Sequence, residues 1–103
     1  MSGAYTSVLD RLRGIFLILE FQTNRASVID YAVVLAVEEG GRLTTVRVYD
    51  GAHGHNEMHR YTRETGKQPA EVFHRGTLGE GMRAAIEEIK RGYEEMIDGW
   101  HRA

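Results

Sequence analysis

Between Leu78 and Trp100 the apolar residues Leu78, Met82, Ala85, Ile86, Ile89, Tyr93, Met96, Ile97 and Trp100 recur at spacings of three and four. That period marks one face of a long α-helix. Thr77 and Glu80 have the spacing of a capping box, so the helix is expected to begin there, with Gly99 near its natural end. Such a helix is stable only if its stripe is covered, and this requirement constrains the rest of the chain most strongly.

The cover is sought upstream. Tyr31 to Glu38 reads as the clearest strand. Tyr31, Val33, Leu35 and Val37 alternate with Ala32, Val34 and Ala36, so two faces are defined. Glu39, Gly40 and Gly41 mark a hairpin turn, and Leu43 to Tyr49 returns as its partner. Ile15 to Gln22 is aliphatic and aromatic enough for a further strand. Thr23 to Arg25 then suggests a turn, with Ala26 to Asp30 as a connection. Ser7 to Arg13 is expected to form a short helix, capped by Ser7 and ended by Gly14. Tyrosines 31 and 49 fall at strand ends, where a ring can be buried and its hydroxyl kept wet.

The resulting expectation is a single α+β domain over residues 1–103. An antiparallel sheet of three or four strands is covered by the long C-terminal helix and preceded by the short N-terminal one. Neither repeats nor a linker divide it. With 42% apolar residues the chain can form a packed core. The absence of cysteine removes disulfide and thiolate chemistry and fits a reducing, cytoplasmic setting. The longest apolar run, Ile15 to Leu19, is far too short to span a bilayer. A net charge of −2 announces no global nucleic-acid field. Arg60, Arg63, Lys67 and Arg75 still leave room for a locally cationic face.

Chemistry-bearing residues crowd between Tyr49 and Arg63. If the segment is extended, His53, His55, Glu57, His59, Tyr61 and Arg63 share one face. If Asn56 caps a helical turn, His55 and His59 share a helical face instead. Two chemistries suit this composition. Imidazoles with a carboxylate (His53, His55, Glu57, His59) are ligands for zinc or a similar ion, although the spacing matches no strong signature. Alternatively, metal-independent RNA cleavage needs a base, an acid and cationic donors. His53, His55 and His59 would supply the first two, and Arg60, Arg63 or Arg75 the last. The glycines of the segment from Gly76 to Gly81 are read as permitting a turn and close helix packing.

Arg47-Val48-Tyr49-Asp50, His53-Gly54 and His59-Arg60, placed after a β-hairpin, resemble the small TumE-type toxins of bacterial toxin–antitoxin pairs. The resemblance covers about the middle third of the chain. It departs from the family pattern at Gly51 and at His59-Arg60-Tyr61. It nominates Tyr49, Asp50, His53, His59 and Arg60, and it implies growth inhibition and an antitoxin partner. The leading expectation is therefore a toxin-like, nucleic-acid-directed domain that acts as a ribonuclease without cofactor. His53, His55, His59, Arg60, Tyr49 and Asp50 form its centre, and Arg63, Lys67 and Arg75 meet RNA. The alternatives are a non-catalytic interaction or regulatory module of phage or mobile-element type, homodimeric through the C-terminal helix, and a histidine-rich metal-binding domain.

Overall fold

A computed structural model describes all residues, Met1–Ala103. Seven antiparallel strands precede one helix: β1 (Ser2–Asp10), β2 (Ile15–Asn24), β3 (Ser27–Glu39), β4 (Arg42–Asp50), β5 (Asn56–Thr62), β6 (Gly66–Lys67), β7 (Glu71–His74) and α1 (Leu78–Arg102). The first five strands form a meander in sequence order, and the far edge of β5 is shared between β6 and β7. The α+β class and the long C-terminal helix stand as expected.

Two expectations are corrected. The sheet has seven strands, not three or four, because the histidine segment and its sequel also join it. There is no N-terminal helix: residues 2–10 form a strand paired with β2 from Ser2↔Gln22 to Asp10↔Ile15. A helix of two turns is marginal alone, whereas the edge of β2 offers a row of backbone partners to Tyr5, Thr6 and Val8. Gly14, at φ +66°, completes the turn between β1 and β2 rather than ending a helix. The presumed connection from Ala26 to Asp30 also lies largely inside β3. Its hairpin turn uses Arg25 and Ala26 at positive φ rather than the Asn-Gly that would advertise it.

The core lies between sheet and helix. Ile15, Leu17 and Leu19 of β2, Tyr31, Val33, Leu35 and Val37 of β3, Tyr49 of β4 and Met58 of β5 meet Ala85, Ile89, Ile97 and Trp100 of α1. Full burial of each large aliphatic or aromatic side chain contributes about 1.5–3 kcal/mol, which compensates for the helix's own marginal stability. The outward face of α1 is left to charged residues such as Arg83, Glu87, Lys90, Arg91 and Glu94. The helix is neither long nor apolar enough to cross a membrane.

The helix start is pinned twice. Thr77 and Glu80 form the expected capping box: the Glu80 amide donates to Thr77 Oγ1 at 3.1 Å, and the Thr77 amide donates to Glu80 Oε1 at 2.9 Å. Below it, buried Asn56 donates from Nδ2 to the carbonyls of Gly76 (3.2 Å) and Thr77 (3.1 Å) and accepts from the Tyr31 hydroxyl at 2.7 Å. Gly81 is the helical residue above it, and a Cβ there would overlap the Asn56 side chain. Asn56 is therefore the first residue of a strand and a buried clamp, not a helix cap.

Candidate functional site

Strand β4 ends at Asp50, and a tight turn through Gly51–His55 delivers the chain to β5. The turn is built by the Ala52 amide donating to Asp50 Oδ1 (3.2 Å) and the Gly54 amide donating to the Gly51 carbonyl (3.0 Å). Gly54 takes φ +78°, a conformation that glycine adopts without penalty. The ladder that follows pairs Asp50 with Glu57, Tyr49 with Met58, Val48 with His59 and Arg47 with Arg60. Because side chains alternate, this register sorts the candidate residues between two faces.

Asp50, Glu57 and His59 lie on the face without the helix. The His59 ring is fixed by Nδ1, which donates to the Gln68 carbonyl at 2.9 Å. That bond places the proton on Nδ1 and leaves the Nε2 lone pair 3.9 Å from Asp50 Oδ2. Both side chains are 15% exposed. Glu57, across the ladder from Asp50, is matched by His53, whose Nδ1 lies 3.1 Å from Glu57 Oε1. Two carboxylates facing one another across a ladder repel, and here each has an imidazole against it. The arrangement can accept a proton at Nε2 of His59 and stabilise the imidazolium through Asp50, as a general base requires. Beside it a shallow hollow of about 600 Å³ runs over Ala4, Glu20, Ala32 and Val48.

The remaining candidates are elsewhere. Tyr49 is wholly buried beneath α1. Burial, reinforced by a hydrogen bond with Glu88, pushes its hydroxyl up to about 12. Tyr31 is likewise buried and its hydroxyl raised, by burial first and by Asp50 second. Neither tyrosine keeps a wet hydroxyl at a strand end. Arg60, next to His59 in sequence, points to the other face and lies 3.6 Å from Glu71. Arg63 is held by Glu39 at 3.0 Å and lies over the Trp100 ring, 4.8 Å from its centroid. His55, Lys67 and Arg75 are exposed and separate. No three His, Asp or Glu side chains converge as a metal site would need, so His53, His55, Glu57 and His59 do not form one chelating set.

Over residues 1–103 the sequence matches the family described as Domain of unknown function (DUF7718). The chain belongs to that family. No curated protein and no solved structure gives a significant match. Family membership assigns no chemistry.

Sequence reasoning missed three residues that shape this region. Gln68 holds His59 through a backbone carbonyl, which no side-chain pattern reveals. Asn56 signals in the sequence as the cap of a helical turn, and Arg47 only as part of a motif. Each acquires its role only when segments far apart in the chain meet.

Proposed function

We propose that this protein is a toxin-like, nucleic-acid-directed domain working in the cytoplasm, with His59 as its base and Asp50 as the carboxylate that supports it. One observation carries the reading. His59 is anchored at Nδ1 by Gln68, presents a free Nε2 lone pair beside a carboxylate, and does so on the sheet face that the helix leaves open. In RNA cleavage Nε2 would take the proton of a 2′-hydroxyl while Asp50 stabilises the charged ring. The 2′-oxygen bonds to the adjacent phosphorus, the P–O5′ bond breaks, and the 5′-oxygen leaves with a proton from water. The acids Asp50 and Glu57 disfavour a polyanion, so the phosphate must be met by cations around them. Lys67 adjoins the residue that holds His59 and is the first to examine. An antitoxin protein over the same face would silence the pair.

The test is growth of a bacterium expressing wild type beside His59→Gln, Asp50→Asn and Arg60→Ala. Growth arrest by wild type and Arg60→Ala, relieved in the two open-face variants while they remain folded, supports the reading. RNA cleavage by the purified His59→Gln variant should fall about 10²–10⁴-fold. Harmless expression of folded wild type sinks it.

A second reading, association without catalysis, has its own observation. The centre of the open face is apolar: Phe16, Ile18, Val34 and Val48 are partly exposed, and Val8 is 50% and Leu43 54% exposed. A solvated sheet face normally alternates to polar residues here. The surface suits a second copy, whose own open face would supply the matching apolar cover; a stable interface needs roughly 800 Å² per partner. Light scattering of wild type against Val34→Glu decides it. A dimer that becomes a monomer supports association, and a soluble monomer in both opposes it.

A further inference from the structure

Arg47 has the single buried side-chain polar atom that lacks a hydrogen-bond partner, its Nε. Its Nη1 reaches only the Tyr49 hydroxyl, at 3.4 Å, and the residue joins none of the protein's ion pairs. A buried guanidinium N–H without a partner is costly, and here it is the Nε that goes unanswered. Arg60 stands directly across the ladder, where like charges destabilise a sheet. Glu71, at 3.6 Å, answers only Arg60.

Both arginines line a cleft of about 520 Å³ between β5, the 68–71 segment and the last turns of α1. Tyr61, Met96 and Trp100 form part of its apolar wall. The volume lies within the roughly 300–1,000 Å³ of small-molecule sites. Glu71 and Glu95 also line it, so the cleft is not a bare cationic hole that would hold any anion. It suits a molecule with one anionic end and a neutral or donor-bearing body.

We propose that this cleft binds a small organic oxyanion, a carboxylate or a phosphate on a flat apolar body, whose anionic group bridges Arg47 and Arg60. Planar guanidinium groups recognise such oxygens through paired hydrogen bonds. The body lies against Tyr61, Met96 and Trp100. The site is separate from the Asp50–His59 pair, because the register places the two on opposite faces of the sheet.

Trp100 is the only tryptophan of the chain, so its fluorescence reads the cleft directly. The purified protein is titrated with benzoate and with a nucleoside monophosphate. The uncharged nucleoside, acetate and inorganic phosphate serve as controls. A saturable change with benzoate or the monophosphate is expected, identifying carboxylate or phosphate as the preferred group, with none from the nucleoside. Arg47→Met and Arg60→Gln should each weaken binding about ten- to hundredfold, and His59→Gln should bind as wild type. Arg60 is exposed, so its variant keeps the test valid if Arg47→Met fails to fold. The proposal is overturned if neither organic oxyanion gives a saturable change, if the body-less ions bind equally well, or if folded Arg60→Gln binds like wild type.

Discussion

The two faces of the sheet are made from the same strands, yet they have different duties. On the covered face Ile15, Leu17, Val33, Leu35 and Tyr49 are fully buried, and the side chains interlock with α1. On the open face the neighbouring residues Phe16, Ile18, Val34 and Val48 remain partly exposed, with Asp50, Glu57 and His59 at one end. Packing is concentrated on the first face, and the Asp50, Glu57 and His59 cluster lies on the second. In a strand the two properties can be only one residue apart.

The sharpest way to break that contrast is to truncate both faces. Leu35→Ala should lose about 2–5 kcal/mol in urea unfolding, and Ile18→Ala less than about 1.5 kcal/mol. Equal losses would show that something covers the open face in solution. Asn56→Ala comes next. It strands the Tyr31 hydroxyl and two carbonyls, so a loss of about 1–3 kcal/mol is expected, with faster amide exchange at the start of α1.

Alkaline titration probes the covered face by charge. The Tyr49 hydroxyl is raised to about 12 in the folded state, so its contribution is complete below the ordinary tyrosine value near 10. It is lost as pH rises through the folded value, because the unfolded chain gives up the proton first. Stability should therefore fall above about pH 10, with the buried tyrosines' share of the tyrosinate absorbance appearing together with unfolding. A Tyr49→Phe variant should soften that fall; an unchanged alkaline limb would contradict the burial argument.

The smallest effect belongs to the helix cap. Thr77→Ala should cost about 1 kcal/mol of thermal stability, measured calorimetrically. The Glu80 carboxyl is lowered, first by the backbone amide of Thr77 and then by its hydroxyl. Its contribution is therefore present above the ordinary carboxylate range and lost as pH falls through the lowered folded value. Glu80→Gln should flatten that part of the acid limb and leave the open-face chemistry untouched.

Local order was legible wherever a period or a cap is written into neighbouring residues. The stripe from Leu78 to Trp100, the Thr77–Glu80 box and the β3–β4 hairpin need no distant partner to be recognised. The segment from Tyr49 to Arg63 also stood out by composition, and Asp50 and His59 do meet there. What the residues could not reveal is which of them meet. Ser7–Asp10 is a strand because β2 has an edge to fill, and that edge exists only once the sheet has formed. His59 and Arg60 are adjacent in sequence but lie on opposite faces, since the Asp50–Glu57 register makes the segment a strand rather than a loop or helix.

The amino-acid sequence by itself therefore determined the helix, its start and the central hairpin, because those depend on short-range periodicity and capping. Tertiary structure alone decided the seven-stranded sheet, the burial of Tyr49 and Asn56, and the separation of the Asp50–His59 face from an arginine-lined cleft. Those depend on pairing between segments far apart in the chain, and a shift of one residue in register would exchange the two faces.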